Sequence, residues 1–217
     1  MFNATRARQL LTGLVLLGGV GISSIAAARF VPMAISQFTI AKYSITSGQG
    51  TSATVKVSPS AGVQVVKFTS SNPAVASVPA GIPIQPGSSQ ATVPIIAGST
   101  GGCVFVTATI GTDSWPRDMI VHPASSASTL RLTVPDQILV LGATYTGKAS
   151  ATGVLSGIPI SFTSSDPNIL TVPASSETVG GVASFSMATK REGCVTVTAT
   201  MRSQTVKKVV RVVDIGG

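Results

Sequence analysis

FTSSNPAVASVPA, from Phe68 to Ala80, returns as FTSSDPNILTVPA from Phe162 to Ala174, and GGCVFVTAT, ending at Thr109, returns as EGCVTVTAT, ending at Thr200. The first match is offset by 94 residues and the second by 91. Self-similarity at one period marks two copies of a single unit, which fixes the organisation of the chain before any local reading. Within each copy the second motif shows the local structure. Val195, Val197, Ala199 and Met201 alternate with Cys194, Thr196, Thr198 and Thr200, the period of a strand with one buried face. The same register sets Val104, Val106, Ala108 and Ile110 inward in the first copy.

Working outward, Val66 and Phe68 match Ile160 and Phe162 on another strand, and further strands are expected over 38–45, 53–58, 91–97 and 119–121. Their counterparts fall at 130–134, 145–151, 183–188 and 205–213. Turn residues such as Ser-Asn-Pro73, Pro86-Gly87, Ser-Asp-Pro167 and Gly180-Gly181 separate them. Composition agrees: 44% of the 217 residues are hydrophobic, only 10% are charged, and 22 Gly and 13 Pro are present, a strand-and-turn mixture. About seven short strands per copy predicts an all-β fold of two tandem immunoglobulin-like sandwiches. The expected division is 1–29 anchor or signal segment, 30–37 linker, 38–122 first domain, 123–129 linker and 130–217 second domain.

SSNPAVASV followed by GCVFVTAT is similar to the bacterial immunoglobulin-like repeats of invasin- and intimin-type surface proteins. The resemblance spans both copies, from about Phe38 to Asp214. It implies a sandwich fold and a range of non-enzymatic roles: spacer, adhesin, enzyme appendage or subunit of an envelope assembly. The chain departs from the long adhesins of that group in having two copies and no outer-membrane barrel, which argues against an independent adhesin.

Ahead of the repeats, Arg6 and Arg8 precede an uncharged run from Leu10 to Ala28, closed by Arg29. Such a run is just long enough to cross a bilayer as a helix, and the basic N-terminus places the repeats outside the cytoplasm. The segment fits two readings. Ala26-Ala27-Ala28 satisfies the small-residue rule for signal peptidase, whereas Gly19, Ser23 and Ala27 recur at the spacing that lets membrane helices pack closely. The second reading makes the chain a single-pass protein of the cytoplasmic membrane, its sandwiches periplasmic or extracellular.

Residues able to carry chemistry are few. His122 is the single histidine, and Asp113, Asp118, Asp136, Asp166, Glu177, Glu192 and Asp214 are scattered. A triad or a metal site needs several such groups converging, so neither an enzyme nor a cofactor is expected. Cys103 and Cys194 occupy equivalent positions, one per copy. Domains stacked end to end would hold them far beyond bridging distance, leaving two semi-buried thiols or, as the alternative, thiols that pair with a neighbouring chain; an internal bond requires the domains to fold back on each other.

Trp115 and Arg117 stand in Gly111-Thr-Asp-Ser-Trp-Pro-Arg117, read as a loop where the second copy has only Arg202-Ser203-Gln204. Trp and Arg are the residue types most enriched at binding hot spots, which makes both contact candidates, with a lid over the domain's own edge as the alternative for Trp115. Without Arg6 and Arg8 the chain carries 13 basic against 7 acidic residues. Lys207, Lys208 and Arg211 gather near the end and suit anionic lipid or an acidic protein surface. No aromatic-basic platform for nucleic acid accompanies them. The expectation is a membrane-anchored accessory or scaffold subunit that stabilises a larger membrane complex from its extracytoplasmic face; the alternative is a secreted or surface module that binds glycan or protein.

Overall fold

The computed structural model describes residues 34–58, 63–125, 129–135 and 138–216. The first repeat contains β1 (Ile35–Ile40), β2 (Ser44–Thr46), β3 (Gly50–Val57), β4 (Gln64–Ser70), β5 (Ala76–Ser77), β6 (Gly81–Ile84), β7 (Gln90–Ala97), β8 (Gly102–Ile110) and β9 (Asp113–His122). The second contains β10 (Leu130–Thr133), β11 (Ile138–Val140), β12 (Thr144–Ala151), β13 (Pro159–Ser164), β14 (Leu170–Thr171), β15 (Ser175–Glu177), β16 (Val182–Thr189), β17 (Gly193–Met201) and β18 (Gln204–Val213). No helix occurs among the described residues. The membrane helix expected at 10–28, with Gly19, Ser23 and Ala27, lies outside them.

Each repeat is a two-sheet sandwich with the same topology. Sheet β1-β3-β7-β5 is joined by sheet β2-β9-β8-β4-β6, and β10-β12-β16-β14 by β11-β18-β17-β13-β15. The run expected as one strand over 38–45 is two. Phe38 pairs with Val55 in the four-stranded sheet, whereas Ser44–Thr46 lies parallel to Ile120–His122 in the five-stranded one. The chain crosses between sheets at Ala41–Tyr43, and one segment thereby covers part of an edge on both. The predicted inward sets hold: Val104, Val106 and Ala108, like Val195, Val197 and Ala199, are fully or almost fully buried.

The geometry explains why the two repeated motifs travel together. Ser71 donates its N–H to the Phe105 carbonyl and takes the Phe105 N–H on its Oγ at 2.9 Å. Ser165 does the same with Thr196, again at 2.9 Å. The second serine of FTSS thus clamps the strand that opens with Gly-Cys. One residue on, Asn72 Oδ1 accepts the Ala74 N–H and Asp166 Oδ1 the Asn168 N–H, the local turn these side chains favour.

Aromatic packing differs between the copies. Repeat 1 sets Phe38 of β1 against Phe68, ring centroids 6.1 Å apart. Repeat 2 has Leu132 at the position of Phe38 and stacks Phe162 on Phe185 of β16 at 4.0 Å. Ala53 pairs with Val93 in the first copy and Gly147 with Phe185 at the same place in the second. A Cβ on Gly147 would lie 2.4 Å from Phe185 Cζ. The larger ring on one strand is matched by a missing methyl on its neighbour and a smaller side chain across the core.

Candidate functional site: the junction of the repeats and the last strands

Cys103 opens β8 and Cys194 opens β17, both facing away from their own cores. A disulfide joins them within the chain, with Cα atoms 5.9 Å apart. Neither semi-buried thiols nor pairing with a neighbouring chain holds, and the end-to-end arrangement behind those expectations is replaced by contact between the outer faces of the two five-stranded sheets. The bond unites equivalent positions, so the contact is approximately two-fold.

Further residues of β9 and β18 close the junction. Ile120 and Val209 are 1% and 0% exposed yet belong to neither sandwich core, because each is buried against the other repeat. Arg211 reaches Asp118 at 3.7 Å and lies over the Phe105 ring at 4.8 Å. It is therefore a residue of the junction between the repeats. His122 is buried between Ser44 Oγ, 3.2 Å from Nε2, and the Val209 N–H, which donates to Nδ1 at 3.1 Å. A backbone N–H only donates, so the neutral ring carries its proton on Nε2 and gives it to Ser44. These residues left a faint trace in the sequence: Met119-Ile120-Val121 and Val209-Val210 interrupt the alternation, as strands buried on both faces do.

Trp115 and Arg117 are not on a loop. Both repeats turn through two residues, Gly111-Thr112 and Arg202-Ser203, and the Trp lies inside the long strand β9. Proline inside a run argues against a strand, but Pro116 sits at an edge where no N–H is required. Trp115 packs on the core of its own repeat and donates from Nε1 to Asp113 Oδ1 at 2.9 Å. Arg117 donates from Nε to the Phe38 carbonyl at 2.9 Å, its guanidinium 5.6 Å from the Trp115 ring centre. The structure thus places both side chains in contacts within repeat 1, the lid arrangement for Trp115.

Register makes Val206 and Lys208 the equivalents of Trp115 and Arg117. Val206, buried in the core of repeat 2, is smaller than Trp115, and an open groove of about 830 Å³ runs between β10 and β18. Lys207 is exposed beside it. At the loop end of repeat 2, Leu155 and Val179 are 84% and 77% exposed. Buried Thr178 ties their loops together, donating to the Leu155 carbonyl at 2.6 Å and accepting the Ile158 N–H. Among the described residues, no three His, Cys, Asp or Glu side chains stand where they could hold a metal.

No family model matches the chain, and no curated protein matches it. Among solved structures it is similar to the D0-D1 domain of intimin, at 18% identity over 82% of this chain and 98% of that one, with a TM-score of 0.41. It is also similar to domains 5-6 of the S-layer protein SbsC, at 18% identity over 84% and 99%, TM-score 0.33. The Yersinia pseudotuberculosis adhesin InvE matches at 14% over 81% of this chain and 58% of that one, TM-score 0.35. The structural neighbours thus include intimin domains, an S-layer protein and an adhesin.

Proposed function

We propose that the chain is a non-enzymatic structural module of a bacterial envelope, held to the cytoplasmic membrane by residues 10–28, whose locked pair of sandwiches braces a larger membrane complex from outside. The observation that carries this reading is the disulfide between Cys103 and Cys194. Such bonds persist in oxidising compartments, and this one acts on the junction of two domains. In a membrane helix, the spacing of Gly19, Ser23 and Ala27 would give a face suited to packing against other membrane helices. Extraction of native membranes in mild detergent, followed by sizing, tests the assignment: co-migration with a complex much larger than one chain is expected, and migration as a lone monomer would overturn it.

A second reading, a surface binding module, is favoured by one feature. Leu155 and Val179 are presented together at the loop end of repeat 2, and exposed apolar pairs on a braced loop suit contact with a partner. N-terminal sequencing separates the two: an intact Met1 fits the anchored subunit, and a mature start near Arg29 fits the released module.

A further inference from the structure

The two repeats treat their last strands differently. In repeat 1, Ile120 donates its N–H to Tyr43 of the crossing segment and Ser47 donates to the His122 carbonyl, so even-numbered residues of β9 turn their backbone groups toward the edge. Pro116 falls in that series and has no N–H to offer. Arg117 takes the Phe38 carbonyl, and Trp115 fills the space between the sheets. The edge is closed three times over.

In repeat 2 the odd-numbered residues of β18 face the edge, as the Val209 N–H to His122 and the Val213 carbonyl to Leu141 show. Strand β11 covers only Arg211–Val213. Lys207 stands where Pro116 stood, and no hydrogen bond from the described residues reaches its N–H or carbonyl on that side. Leu132 replaces Phe38, and among the described residues no side chain reaches its carbonyl as Arg117 reaches that of Phe38. Between these two strand margins lies the groove, flanked by Arg131 and Lys208, and among the described residues no acidic side chain lines it. Neither basic residue enters an ion pair among the described residues.

The geometry points to a docking site for an extended acidic segment of a partner protein. The segment adds as a short strand along Thr205–Lys208, its backbone bonding to Thr205 and Lys207, with carboxylates toward Arg131 and Lys208 and apolar side chains toward Val206. Addition to a free edge uses main-chain bonds for affinity and alternate side chains for selectivity; the two basic side chains, Arg131 and Lys208, favour acidic strands among extended peptides. The site ends where the junction begins, at Val209, and does not depend on how the chain is anchored.

The test uses the full chain and a fluorescent peptide of alternating Val and Glu, with a Val-Lys peptide as control, read by anisotropy. Saturable binding of the acidic peptide alone, weakened by salt, is expected. Lys207→Pro should lower its affinity about tenfold, the worth of one or two backbone hydrogen bonds. The substitution is tolerated structurally, because repeat 1 carries Pro116 at the same place. Arg131→Glu with Lys208→Glu should transfer preference to the Val-Lys peptide. Undiminished binding to Lys207→Pro would overturn the proposal. So would slow hydrogen exchange of the Lys207 amide in the free protein, which would mean the edge is already occupied. Failure of the acidic peptide to bind, or anionic vesicles or heparin displacing it equally from wild type and Lys207→Pro, would likewise overturn it, the last result marking a polyanion surface.

Discussion

At the scale of the residue, Gly147 shows how a duplicated core stays full while its parts change. Phe185 occupies space that Phe38 fills from another strand in the first repeat, and the absent methyl at 147 is what admits it. Gly147→Ala should destabilise the protein by about 1–3 kcal/mol, the usual cost of forcing an extra carbon into a packed interior, read from urea unfolding. Adding Phe185→Val and Leu132→Phe to it rebuilds the first repeat's arrangement and should recover most of the loss. A triple variant weaker than the single one would show that these positions do not act as a set. None of this was legible in the sequence, where Gly147 carried no signal, although Phe162 was placed inward by its match to Phe68.

At the scale of the element, the clamp between FTSS and the Gly-Cys strand is the reason the repeat could be read at all. Ser165→Ala removes the acceptor for the Thr196 N–H and should cost about 1 kcal/mol, since the site is exposed and water replaces the lost partner in part; a comparable loss is expected for Ser71→Ala. Differential scanning calorimetry resolves shifts of that size. Alternation placed the inner strands of both sandwiches, because period-two patterning reports one buried face. The ends escaped it for different reasons. The segment 38–45 changes sheets with no glycine or proline to mark the crossing, and β9 continues through Pro116 at a position where proline is harmless. Lys207 and Lys208 were singled out for charge alone; that the edge beside them lies open follows from register, which only the fold supplies.

At the scale of the whole molecule, the junction depends on a sulfur bridge, a buried His122 and the contact of Arg211 with Asp118 and Phe105. Closing a 91-residue loop contributes on the order of 4 kcal/mol in the chain-entropy account. Cys103→Ser with Cys194→Ser should therefore lower the melting temperature and, with Arg211→Ala added, give the repeats independent motion, seen as separate rotational correlation times by NMR relaxation. A single correlation time in that triple variant would mean the remaining apolar contact suffices alone. Antibody domains spend two cysteines each on an internal staple, whereas here each copy holds one, and like meets like across an approximate dyad. In a lone repeat carrying this face the same symmetry would tie two separate molecules into an isologous homodimer; here it ties two halves of one chain that differ in other side chains.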